Sequence, residues 1–262
     1  MSNSPNSTND MNLVLQNFES GVLTLTLNRV DKKNSLNTAM YGELADALLS
    51  AEADAGIKVV LIQGHETVFS AGNDIADFLQ QPAAGEDSPV FRFLRGIAVF
   101  TKPLIASVCG PAVGVGTTLL LHCDLVYAGD NAAFAMPFVN LGLCPEAGSS
   151  LLAVQLMGYQ RAAEALLMGE PFLAETALEI GLVSRVLPPA EANAYAQQQA
   201  RKMATKPLSS LMETKRLMKA SITPQVLDRI KQEGAVFGRM LKEPAAIEAF
   251  SAFMEKRKPV FQ

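Results

Sequence analysis

Glu146 is a carboxylate set among small and apolar residues, in the run Gly142-Leu143-Cys144-Pro145-Glu146-Ala147-Gly148-Ser149-Ser150. A carboxyl group desolvated by such surroundings has a raised pKa and can take a proton as a general base. Read structurally, the same residue is a helix-start carboxylate favoured by the helix dipole. Ser149 and Ser150 become nucleophiles only beside a base, and the sequence offers no obvious one. Two loops supply the complementary chemistry. In Phe69-Ser70-Ala71-Gly72-Asn73-Asp74 the small side chains let a ligand reach the backbone, and free N–H groups at a helix start can hold a developing negative charge. As plain structure the same segment is a tight turn with Asp74 as N-cap. The second loop, residues 109–119, contains Gly110-Pro111-Ala112-Val113-Gly114-Val115-Gly116 and also opens a helix whose N–H groups suit an oxyanion. Its structural reading is a glycine cluster for close helix packing.

Other chemistries lack material. The second loop is not a dinucleotide fingerprint, because Leu119 stands where a third glycine is needed, and no Gly-Lys-Ser/Thr follows as in a phosphate-binding P-loop. The only histidines are His65 and His122, so a metal site or a Ser-His-Asp triad has almost nothing to be built from. Cys109, Cys123 and Cys144 are odd in number and widely spaced, which reads as reduced core thiols. The net charge is -4 and no basic run interleaves with aromatics, which argues against nucleic acid. Lys256-Arg257-Lys258 reads as a solvated end. The uncharged stretch 103–121 is long enough to imitate a membrane span, but Gly110, Pro111, Gly114 and Gly116 punctuate it as strand, loop and helix start.

These loops need a scaffold, and the chain can build one. Its 262 residues are 49% hydrophobic and only 18% charged, enough for a large core. Strands are expected at 13–18 and 22–27 as a hairpin, a helix at 38–53, and strands at 59–62, 104–108, 125–128 and 133–135. Helices before residue 100 and up to about residue 122 intervene, so the β-structure should be parallel and buried. From about Ser149 the pattern is helical with one short strand at 183–186. The expected organisation is a frayed tail at 1–11, a core at 12–200 and a helical region at 201–262.

Taken together, Asn28-Arg29, Asn34-Ser35-Leu36-Asn37, the FSAGND and GPAVGVG loops, Cys123-Asp124 and the closing EKRKPVF resemble the crotonase superfamily, the enoyl-CoA hydratase/isomerase family. The resemblance spans nearly the whole chain after residue 11. It implies an α/β fold, a spiral of ββα units with C-terminal helices used in trimerisation, as a homotrimer or dimer of trimers. It further implies an acyl-CoA substrate, with coenzyme A as part of that substrate and no permanently bound cofactor or metal. The thioester oxygen would sit between the N–H groups of Asn73 and Val115. Ser70, Ala71, Gly72, Asn73, Asp74 and Ile75, with Gly114, would line the CoA path, and Lys32 or Lys33 would stand near its phosphates.

Members similar to the hydratases carry two glutamates, and here those positions hold Thr118 and Phe138. Glu146 matches instead the catalytic glutamate of the peroxisomal-type 3,2-enoyl-CoA isomerases. The implied reaction is a shift of the double bond of a 3-enoyl-CoA to the 2-position, with Glu146 ionised at rest as base. Phe138, Leu141 and Leu143 should exclude water, and residues 81–88 with the following helix should shape the acyl pocket. Hydration, thioester hydrolysis and non-catalytic acyl-CoA binding remain the alternatives. No peroxisomal address is visible in Lys258-Pro259-Val260-Phe261-Gln262, so the cytoplasm is the expected location.

Overall fold

The computed structural model describes residues 12–80, 85 and 87–261. The expected tail at 1–11, and residues 81–84 and 86 of the expected loop, lie outside the described residues. The chain opens with β1 (Val14–Glu19) and β2 (Val22–Leu27), an antiparallel hairpin turned by Ser20 and Gly21 in left-handed conformation. Helix α1 (Thr38–Ala53) follows, capped by Asn37, whose side chain accepts the Met40 N–H at 2.9 Å. Next come β3 (Val59–Gln63), α2 (Ile75–Gln80), α3 (Pro89–Val99), β4 (Leu104–Val108), β5 (Pro111–Val113) and α4 (Val115–Thr118), which tightens into a 3-10 turn at Leu119–His122. After β6 (Leu125–Gly129) and β7 (Ala133–Ala135) the chain is mainly helical: α5 (Ser149–Met157) and α6 (Tyr159–Ala163), then β8 (Phe172–Leu173), α7 (Ala174–Glu179), β9 (Arg185–Leu187) and α8 (Pro189–Ala204). Helices α9 (Leu208–Lys219), α10 (Thr223–Met240) and α11 (Pro244–Met254) end it.

The main sheet has the order β1-β2-β3-β4-β6-β9 and is parallel from β2 onward. Every residue of β4 and all but the last of β3 are buried, as strands covered on both faces must be. Alternation splits them: Val60, Ile62, Leu104 and Ala106 join the core under α1 and α3, while Val59, Leu61 and Ile105 face α8. Helix α8 meets that face with Ala192, Ala196, Ala200 and Ala204, four residues apart on one stripe, so helix and sheet approach closely. A boundary at residue 200 falls inside this helix. Val226 and Ile230 of α10 belong to the same core as β3 and β4.

A second sheet, β5-β7-β8, carries the other half of the site. The sequence reading did not contain β5 or β8. Strand β8 is two residues long and exists because Phe172 pairs with Phe134 of β7, their rings stacked with centroids 5.6 Å apart. That contact is tertiary, with no local periodicity to announce it. The apolar stretch 103–121 becomes β4, β5 and α4, and no described helix is long and apolar enough to cross a membrane.

Ala200 is fully buried between α8 and the sheet. Ala200→Leu should overpack this face and lower the unfolding free energy by about 1–3 kcal/mol. Urea denaturation checks this, with the exposed neighbour Arg201→Gln staying within about 0.5 kcal/mol of the wild type.

Candidate active site

Three backbone segments are laced together where the two loops meet. Asn34, left-handed at φ 52 and fully buried, accepts the Arg29 N–H on its side chain at 2.8 Å, and its carbonyl accepts the Ser70 hydroxyl at 2.9 Å. Leu36 donates its N–H to Gly72 O and accepts the Asp74 N–H, both at 2.8 Å. In such a parallel bridge the residue between, Asn73, points its own N–H to the opposite side. The second loop is tied to the first by Val113 N–H to Ser70 O at 2.9 Å and Ser70 N–H to Pro111 O at 3.0 Å. Gly114 then turns the chain into α4 and accepts the N–H groups of Thr117 and Thr118 at 2.9 Å, leaving Val115 as the first helical residue.

Neither the Asn73 N–H nor the Val115 N–H has an acceptor among the described residues. Two glycines make this approach possible. Gly72 is left-handed at φ 89, and a Cβ there would stand 2.8 Å from Val113 O; one on Gly116 would stand 3.0 Å from Ser70.

Glu146 is 9% exposed and sits two residues before Gly148, the N-cap of α5, so it is not in the first turn of that helix. The helix-start carboxylate is Glu233, from α10. It accepts the Gly148 N–H at 2.6 Å and the Ser150 N–H at 3.0 Å. Between them Ala147 (φ 61) and Gly148 (φ 72) are both left-handed, and the carbonyl of Ala147 accepts the Nε2–H of His122 at 2.7 Å. Burial pushes His122 down to about 4, which keeps it neutral for this bond.

Burial pushes the Glu146 carboxyl up to about 8; a hydrogen bond from the Thr118 hydroxyl at 2.5 Å opposes the rise and the charge of Glu233 adds to it. Burial thus disfavours the ionised form of Glu146 in the ligand-free protein, and the Thr118 hydroxyl bond favours it. Tyr41 of α1 donates its hydroxyl to the Asn73 side chain. Burial first, and then the Glu146 charge, push its phenol well above its ordinary value.

A cavity of about 640 Å³ opens at this junction, lined by Lys32, Lys33, Ala71, Gly72, Asn73, Asp74, Ile75 and Gly114 among others. Ser70 does not reach it, being fully buried under the loop it braces. Asp74 caps α2 through the Ala76 and Asp77 N–H groups and pairs with Arg29 at 2.6 Å. Phe138 and Leu143 are buried beside the cavity. A second chamber of about 50 Å³ adjoins it, sharing Asn73, Phe78 and Phe237, and holds Glu146. Sequence reasoning missed Arg29 as a lining residue, Tyr41, His122 and Glu233. Glu233 left a trace: it falls on the apolar stripe Val226, Ile230, Phe237 of α10, where a charge needs a partner.

The sequence profile of the family described as Enoyl-CoA hydratase/isomerase matches residues 17–262, and this chain belongs to that family. A solved structure from Pseudomonas aeruginosa, OdaA, is 49% identical and superposes with a TM-score of 0.90 over 93% of this chain and 99% of its own. The fold is thus the crotonase fold. The 2,3-dehydroadipyl-CoA hydratase of Escherichia coli is 36% identical over 92% of this chain and 95% of its own length. Enoyl-CoA delta isomerase 2 of Rattus norvegicus is 39% identical over 67% of this chain and 46% of its own length.

Glu233→Ala strips the buried Gly148 N–H and the half-buried Ser150 N–H of their acceptor and should cost about 2–3 kcal/mol in urea unfolding. Thr118→Val removes the bond that favours the charged base, so the apparent pKa of Glu146, read from the pH dependence of activity or by carbon NMR of labelled Glu, should rise above its wild-type value.

Proposed function

We propose that this family member is an enoyl-CoA isomerase that moves the double bond of a 3-enoyl-CoA to the 2-trans position. The observation that carries the reading is that Glu146 is the one carboxylate among the described residues lining the chamber beside Asn73; by the family resemblance, Thr118 and Phe138 stand where the hydratases carry their two glutamates. Adding water requires one group to activate it and another to manage the α-carbon proton. A double-bond shift needs one base, which takes a proton from C2 and returns it at C4 on the same face.

In this mechanism the thioester oxygen lies between the Asn73 and Val115 N–H groups, which bind the dienolate more strongly than the ground-state carbonyl. Each such donor is typically worth about a hundred- to a thousandfold in rate. Glu146, with a pKa near 8, is matched to proton transfer at neutral pH. The apolar walls Phe138, Leu141 and Leu143 keep water from the intermediate, and Lys32 and Lys33 place positive charge at the cavity for the CoA phosphates, while Arg29 is paired with Asp74. The hydratase relative favours water addition as a second reading, which product analysis separates. We also assign the exposed apolar side chains of α9 and α11, among them Leu217, Met218, Ile247 and Phe253, to a trimer interface; light scattering should give three or six times 28.0 kDa.

Glu146→Gln should lower conversion of 3-hexenoyl-CoA to 2-hexenoyl-CoA by about a thousandfold, with crotonyl-CoA hydration slow in both proteins. Isomerisation that survives the substitution contradicts the assignment. Because the base must be deprotonated, kcat/KM should rise with pH and level off above an apparent pKa of about 8. A profile flat from about pH 6 to 9 contradicts it.

A further inference from the structure

The chamber beside Glu146 is bounded on one side by α10, and two of its lining positions are glycines one turn apart, Gly234 and Gly238. Glycine inside a helix costs stability, and neither residue has a positive φ that would require it. Space remains as the reason. A Cβ on Gly234 would stand 2.7 Å from the Phe91 ring, whereas Gly238 is exposed at the rim of the chamber and a Cβ there would have no other atom within 4 Å, so a side chain at 238 would stand across that rim. The opposite walls are Phe78 of α2 and Phe91 and Leu94 of α3. Among the described residues, the only polar side chains lining the chamber are those of Asn73 and Glu146; the cations Arg29, Lys32 and Lys33 all line the larger cavity on the other side of Asn73.

We propose that this chamber receives the acyl tail beyond C2, that it selects short uncharged hydrocarbon tails against tails ending in a carboxylate, and that Gly234 and Gly238 set its depth. The assignment rests on the isomerase reading for the placement of C2 at Glu146. About 50 Å³ is room for three or four waters, hence for a few carbons. A terminal carboxylate would meet no cation among the described lining residues, only the neutral Asn73 amide, and would lie close to the Glu146 carboxyl, an arrangement that apolar surroundings penalise.

The test uses unreactive saturated ligands, so that binding is read apart from catalysis. Calorimetric titration of the full chain with hexanoyl-CoA, adipyl-CoA and free CoA should show hexanoyl-CoA bound at least about tenfold more tightly than adipyl-CoA. Gly238→Leu should weaken hexanoyl-CoA by about tenfold or more while leaving free CoA little changed, which also reports that the variant is folded. If Gly238→Leu loses free CoA as well, Gly238→Ala decides by the same comparison, with a loss of a few-fold expected. Equal affinity for the two acyl-CoAs overturns the selection against charge. Wild-type affinity for hexanoyl-CoA in both variants overturns the chamber assignment. If these binding results hold but 3-hexenoyl-CoA shows no Glu146-dependent turnover, the isomerase reading fails and the chamber stands.

Discussion

The site depends on two backbone N–H groups being left without protein partners at the meeting point of two loops. Main-chain donors are normally consumed by secondary structure, so leaving two free where two loops meet requires the surrounding hydrogen bonds to be directed elsewhere. Here Leu36 takes the groups on either side of Asn73, Gly114 takes those after Val115, and Ser70, Pro111 and Val113 bind the loops to each other. The glycines at 72 and 116 matter because the loops pass closer than a Cβ allows. Ser70, which could be mistaken for a ligand-binding hydroxyl, is a brace in this lacing.

The base is fixed by a separate set of contacts that converge on the same point. Thr118 belongs to the helix that Val115 begins, so the proposed oxyanion donor and the hydroxyl bonded to the proposed base ride on one element. His122, one turn further, holds the carbonyl of Ala147, and Glu233 reaches from α10 to hold the N–H groups beyond it. Two adjacent left-handed residues, Ala147 and Gly148, are tolerated because both sides of that turn are pinned. The consequence is a carboxyl whose pKa burial raises and whose charged form one hydroxyl supports.

Much of this was legible in the residues. Alternating apolar strands and a glycine-punctuated stretch gave the parallel sheet, and Thr38–Ala53 emerges with the expected bounds because its cap, Asn37, is local. The two loops and Glu146 could be singled out by composition. The elements that escaped are those made by distant contacts: β5 is held by β7 and by Ser70, β8 by β7, and Tyr41, His122 and Glu233 acquire their roles from partners 25 or more positions away. The helix-start reading of Glu146 failed for the same reason, since nothing local reveals that Glu233 occupies that place.

The most direct test of a single buried base serving both carbons follows the proton itself. In a single turnover of 3-hexenoyl-CoA deuterated at C2, the label taken by Glu146 should reappear in part at C4 of the 2-hexenoyl product, because the base is buried and exchanges slowly with water. With one deuteron retained at C2, finding the abstracted label only in solvent and C4 carrying solvent hydrogen alone would contradict a one-base shift and point to a second proton donor.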